Sequence, residues 1–335
     1  MTIADLHADN KSSKRYGVLI INIGGPQTLS HQSIKHYLKL FLSDKRVLEI
    51  NPILWKIILH LFILPIRPRK SLSKYKLIWS SGKYSPLIQN SINLVDKLQK
   101  SFNQEVDNIT IRMAMNYSDP FVDNIIADFQ QDSISNLIVL PLFPQYSAAT
   151  VGASLDQVWR TLLNLRFQPE ISSINYFYQD PMYVEALTQH IEDYWRKNGR
   201  SRLLLVSYHG IPIKCVEKGD PYYQHCLETT RIIQQKLKLE DNEILMSFQS
   251  RFGKFRWLQP NTQKLLKKLP KNGISSIDVI SPSFIVDCLE TLEELDISGR
   301  KQFIQAGGKV FNYIPCLNDN KVFVEALKNI IRAKL

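Results

Sequence analysis

The sequence predicts an α/β protein of two lobes, each a parallel sheet flanked by helices. Eight short apolar, β-rich runs alternate with helical patterns, the signature of βαβ units. Eight strands are more than one mononucleotide-type sheet comfortably holds in 335 residues, so two similar lobes divide them. The runs end in polar or Gly/Pro-punctuated residues, and in such sheets ligands bind beyond the carboxyl ends of the strands, so these ends converge on one cleft.

The first run, Tyr16 to Gly24, is closed by Gly24, Gly25 and Pro26. No third glycine completes a G-x-G-x-x-G, which argues against a dinucleotide site. A helix is expected from Ser30 to Leu42. Pro52 to Ile66 is the most hydrophobic stretch, interrupted by Lys56 and His60 and too short to span a bilayer. It suits either a buried helix or an exposed apolar lip that meets lipid or a large flat apolar ligand. Arg67, Arg69 and Lys70 follow it, and arginines at an apolar edge suit an amphipathic ligand carrying carboxylates, which guanidinium binds bidentately. Further strands are expected at Ile109 to Met115, Leu137 to Leu142, Ile171 to Tyr178, Leu203 to His209, Glu243 to Phe248, Ile277 to Ser281 and Val310 to Ile314. The lobes are expected to divide near Pro141 to Pro144, giving a first lobe of 16–140 plus 318–335 and a second of 141–317. An amphipathic terminal helix, Asn320 to Ala333, is expected to return to the first lobe.

A formal charge of +11 favours an acidic partner, but the basic residues are scattered and no zinc-finger spacing, RNP signature or Arg-rich tract occurs, so nucleic acid is not expected. The four cysteines, Cys215, Cys226, Cys288 and Cys316, are far apart, which signals neither a zinc site nor a disulfide framework and fits a reducing cytoplasm. Met1 to Arg15 is polar, with Asp5, Asp9 and Lys11, and lacks the apolar core of a signal peptide.

Two places carry candidate chemistry. Leu203 to Pro212 reads as a buried strand that delivers His209 at its carboxyl end, before Gly210 and Pro212. After a later strand, Val286 to Asp296 carries leucines at 289, 292 and 295, a helical stripe that puts Glu290 and Glu294 on one face, i and i+4. Like charges at that spacing repel, so the pair calls for solvent or for a task such as passing protons or guiding a cation. An imidazole and a carboxylate together suit weak, exchangeable binding of divalent iron by His209 and Glu290.

Asn22-Ile-Gly-Gly-Pro26, Tyr37-Leu-Lys-Leu-Phe-Leu-Ser-Asp44, Pro141-Leu-Phe-Pro-Gln-Tyr-Ser147, Ser207-Tyr-His-Gly-Ile-Pro212, Phe248-Gln-Ser-Arg-Phe-Gly253 and Asp287-Cys-Leu-Glu-Thr-Leu-Glu-Glu294 resemble, in this order, the motifs of ferrochelatase in its bacterial protoporphyrin form. The resemblance implies two Rossmann-like lobes with an active-site cleft between them and insertion of Fe2+ into protoporphyrin IX to give protohaem, a lyase reaction. It makes His209 the metal- and proton-handling histidine, Glu290 the essential carboxylate and Glu294 its neighbour one turn on. It also implies that Arg67, Tyr75 and Ser85 lie near the propionates and Trp257 near the cleft. Iron is then a substrate and no permanently bound cofactor is expected. Since no cysteine follows Cys316, neither is a [2Fe-2S] cluster. The protein is expected to be cytoplasmic, peripheral to the inner membrane where the lip touches lipid. Trp79 to Pro86 departs from the usual Gly-Gly-Ser-Pro, and Ile23 and Asn116 stand where relatives carry other residues. A chelatase acting on a coproporphyrin and a two-lobed carrier of haem or metal are the competing readings.

Overall fold

The computed structural model describes residues 15–80, 82–104, 108–253 and 255–335; the polar stretch Met1 to Lys14 lies outside the described residues. Eight strands form two four-stranded parallel sheets. The first holds β1 (Tyr16–Asn22), β2 (Ile109–Met115), β3 (Asn136–Pro141) and β4 (Glu170–Ser173) in the order β2-β1-β3-β4. The second holds β5 (Leu203–His209), β6 (Ile244–Gln249), β7 (Ser276–Ile280) and β8 (Val310–Tyr313) in the order β6-β5-β7-β8. The second half therefore repeats the topology of the first. In both sheets the chain leaves the first strand to one side and returns to the other, which puts a topological switch point beside β1 and beside β5. β1 and β5 are buried almost throughout, as strands covered on both faces must be, and their Val/Ile/Leu runs supply the required side chains.

Among the described residues twelve α-helices pack around these sheets: α1 (His31–Ser43), α2 (Pro52–Ile58), α3 (Arg67–Ile78), α4 (Pro86–Asn103), α5 (Val122–Gln131), α6 (Ala153–Leu162), α7 (Pro181–Asn198), α8 (Ile213–Glu217), α9 (Tyr222–Lys236), α10 (Thr262–Lys268), α11 (Arg300–Gln305) and α12 (Lys321–Arg332). Three stretches wind more widely as π-helix, Leu59–Ile63, Ala148–Gly152 and Leu289–Gly299.

β4 hydrogen-bonds to β3, so the first sheet runs to Ser173, past the division expected at Pro141. Pro141 ends a strand rather than a lobe, and β4 stops well short of Tyr178, because the chain then turns toward α7. The two lobes exchange their last helices. From the first, α7 reaches across: the Tyr183 hydroxyl donates to the Pro282 carbonyl (3.1 Å) and Trp195 Nε1 donates to Asp278 on β7 (2.7 Å). In return, α12 lies on α4, where Lys328 Nζ donates to the Ser101 carbonyl (2.9 Å) and Ser101 Oγ to Glu325 (2.8 Å). Tyr183 and Phe323, fully buried and edge to face, join these crossing helices in one core that runs through both lobes. Each such ring contributes about 2 to 3 kcal/mol by leaving water. A separate small core holds the α1–α3 region together around Trp55, Leu59 and Tyr75.

Candidate active site

One cavity of about 1020 Å3 lies between the two sheets at their carboxyl ends. All seven residues singled out from the sequence line it: His209, Glu290, Glu294, Arg67, Tyr75, Ser85 and Trp257.

β5 delivers His209. Gly210 follows because the chain passes β6 at close range: its N–H donates to the Gln249 carbonyl (2.7 Å), and a Cβ there would stand 2.8 Å from that oxygen. The His209 amide donates to Ser283 Oγ (3.3 Å), and its ring nitrogen Nδ1 pairs with the Gly210 carbonyl (2.7 Å). A carbonyl can only accept, so Nδ1 carries the proton of the neutral ring and Nε2 keeps its lone pair for the cavity.

The two carboxylates come from the Leu289–Gly299 π-helix, and their settings differ. Glu290 has its carbonyl held by Gln249 Nε2 (2.9 Å), while its carboxylate faces the buried Cys288 thiol, whose pKa is pushed up by burial first and by Glu290 second. It attracts the half-buried Arg67 guanidinium and raises the pKa of the buried Tyr37 and Tyr75 hydroxyls, for which burial is the larger cause. Burial pulls the Arg67 guanidinium below its ordinary value, with Glu290 opposing; the guanidinium also rests over the Phe252 ring, 4.6 Å from its centre. Glu294 is deep and held: its carboxylate accepts from the Ser250 amide (2.9 Å), from Ser250 Oγ (2.6 Å) and from Gln263 Nε2. Burial pushes its pKa up, against the Ser250 bonds and the nearby His209. Ser250 adopts φ +55°, a left-handed backbone that costs a non-glycine residue about 1 kcal/mol and turns its donors onto Glu294.

Three buried polar atoms in the cavity wall have no protein partner: Ser85 Oγ at the start of α4, Trp257 Nε1 and Gln145 Oε1. Buried polar groups are normally satisfied, so these are groups kept for a ligand or for water. Among the described residues no cluster of three or more His, Cys, Asp or Glu side chains is arranged to hold a metal ion. Any metal bound through His209 and Glu290 is thus held by few protein ligands, as suits an ion that leaves.

Glu293 went unnoticed in the sequence. It is buried, accepts from Lys74 on α3 (2.7 Å) and from Ser298 Oγ (2.7 Å), and so joins the lip region to the second lobe across the cavity. The leucine stripe assumed α-helical winding. The wider π turn buries Thr291, Glu293, Leu295 and Gly299 instead, while leaving both Glu290 and Glu294 on the cavity.

Pro52 to Ile66 is an exposed lip. Only Trp55, Leu59 and Leu64 of it are buried, whereas Ile53 is 76% exposed and Phe62 62%. Its apolar side chains split into two sets: Phe62, Ile63 and Ile66 line the cavity, and Ile53, Leu54, Ile57 and Leu61 do not. Among the described residues no helix is long and apolar enough to cross a membrane.

The sequence model of the ferrochelatase family matches residues 15–335. The chain is 43% identical over 321 residues to a ferrochelatase of Francisella tularensis, covering 95% of each, and 39% identical over 322 residues to a ferrochelatase of Marinobacter nauticus, covering 96% of this chain and 87% of that one. Among solved structures it is similar to SirB from Bacillus subtilis with Fe3+ (TM-score 0.58, 11% identity, covering 95% of this chain and 94% of that one). It is likewise similar to the sirohydrochlorin chelatase SirB from Bacillus subtilis subspecies spizizenii in complex with cobalt (TM-score 0.54, 10% identity, covering 95% and 94%). At that identity the likeness is one of fold.

Proposed function

This chain belongs to the ferrochelatase family and inserts Fe2+ into protoporphyrin IX to form protohaem with release of two protons; we propose how its own residues do so. A flat macrocycle hides its nitrogen lone pairs in the ring plane, so a cleft that favours a bent ring exposes them, using on the order of 1 to 5 kcal/mol of binding energy. In this reading Nε2 of His209 and the carboxylate of Glu290 meet the incoming iron, and once the iron has passed to the ring the freed Nε2 accepts a pyrrole proton. Glu294, whose pKa burial raises, carries protons onward to water. Arg67, with Tyr75 and Ser85 Oγ, takes the propionate end, and Trp257 lies against the macrocycle. The observation that carries the assignment is the His209 ring, fixed through Nδ1 and left open at Nε2 beside two carboxylates in unlike settings.

We further propose that Ile53, Leu54, Ile57 and Leu61 touch lipid and hold the protein peripherally at the inner membrane on the cytoplasmic side. The outward apolar set and four free thiols support this. The reaction needs no resident cofactor, since iron and porphyrin are both substrates. In an anaerobic assay with protoporphyrin IX and coproporphyrin in parallel, Fe2+ or Zn2+ is expected to enter protoporphyrin IX preferentially. An unchanged porphyrin spectrum with saturating Fe2+ would sink the reading.

A further inference from the structure

Two walls that bend a ring between them must not yield, or the lobes part and the ring stays flat. The walls here meet along the segment that leaves β3. Each of four consecutive residues on it bonds the second lobe: Gln145 Nε2 donates to Thr229 Oγ1 (3.1 Å), the Tyr146 amide to His225 Nδ1 (3.1 Å), and both Ser147 Oγ (2.9 Å) and the Ala148 amide (2.8 Å) to Asp220 Oδ2. Among the partners of these four residues, Asp220 is the carboxylate. Its other oxygen accepts from the Tyr222 amide (3.0 Å), so the group that grips the first lobe is itself fixed on its own lobe at the start of α9. Gly219, at φ +96°, makes the turn that presents it. Hydrogen bonds to a charged acceptor are roughly twice as strong as neutral ones, so Asp220 is the stiffest point of the seam. Asp220, Ser147 and Ala148 also line the cavity. A change in this seam therefore changes the separation of the walls where the macrocycle sits.

We propose that Asp220 is a positioning residue for metal insertion: it fixes the separation of the cleft walls and, through that, the bend imposed on the bound porphyrin. It takes no proton and binds no iron. The inference rests on the bent-ring reading above, and resonance Raman spectra of bound porphyrin, whose out-of-plane bands report the bend, distinguish the two. In the unaltered protein these bands appear on binding; if they do not, the bent-ring reading fails and this proposal with it. Asp220→Ala is expected to weaken the bands and to lower kcat by about tenfold, while KM for porphyrin changes by less than about threefold, because the apolar walls remain. Ser147→Ala removes one of the three bonds and moves both readouts the same way by less. Bands in the variants that match those of the unaltered protein would overturn the assignment, whether or not kcat falls. If Asp220→Ala does not fold by circular dichroism, Ser147→Ala decides on the same criterion.

Discussion

The two sheets share one strand order, yet their first strands end in different chemistry. β1 ends at Asn22, whose side-chain oxygen accepts from the Ile23 amide (2.7 Å) and whose amide donates to Ser91 Oγ (3.1 Å). The Asn22 side chain is thus taken up beside the Gly24 turn, which runs at φ +91° with Ser118 Oγ 2.6 Å from where a Cβ would stand. β5, its counterpart in the repeat, ends at His209, one ring nitrogen anchored and the other open. Both lobes supply apolar wall; the first adds the lip with Arg67, and the second adds the imidazole and both carboxylates. In the proposed reading, a doubled fold thus lets one copy add the lip and the propionate contacts while the other adds the proton and metal chemistry.

The largest effect is expected from damage to the second copy. His209→Ala should lower the insertion rate on the order of 10³-fold, the scale of a lost positioned base, while porphyrin titration still shows binding. Glu290→Gln, which keeps size and removes charge, should cost roughly 10²-fold by the same measurement. If either variant turned over normally, the division of labour between the lobes would be wrong.

Damage to the first copy should act on binding and docking instead. Phe62→Asp removes an apolar side chain at the cavity edge of the lip and adds a charge, a loss of about 2 kcal/mol or roughly 30-fold in porphyrin affinity. Leu61→Asp, on the set turned away from the cavity, should release the protein from anionic liposomes in a sedimentation assay and leave porphyrin affinity unchanged. Equal behaviour of the two variants would mean that the lip has no separate faces.

The contrast between the copies was only partly visible in the sequence. The central strands β1, β3 and β5 were legible because buried parallel strands are written as unbroken apolar runs, and His209 stood out because such a run stops at it. The end of β4 was not, since Ile174 and Phe177 continue an apolar pattern while serving the core beyond the strand. Glu293 was missed for a different reason. Burial on a π-helix follows a period that the α-helical stripe of leucines does not express, and its partner Lys74 is 219 residues distant. The Asp220 seam was equally hidden, because a carboxylate that grips backbone amides looks the same in sequence as one on a solvated turn.

The smallest effect concerns Glu294, and here the sign matters more than the size. Its folded pKa is raised by burial above the ordinary carboxylate value, so the folded state favours the protonated form. The stability this gives is fully present below the unfolded pKa and is lost as the pH climbs through the folded one. Glutamine in its place can accept from the Ser250 amide and from Gln263 through its oxygen, and can donate to Ser250 Oγ once that hydroxyl turns round. Glu294→Gln therefore keeps the bonds and discards the titration. Its Tm relative to the unaltered protein should rise from acid toward neutral pH, and its insertion rate should fall by less than about tenfold, because water can carry a proton past a residue one turn from the ring. A Tm difference that stayed flat with pH would place the carboxylate in solvent. A rate loss as deep as that of Glu290→Gln would make Glu294 a partner in the chemistry itself rather than the exit from it.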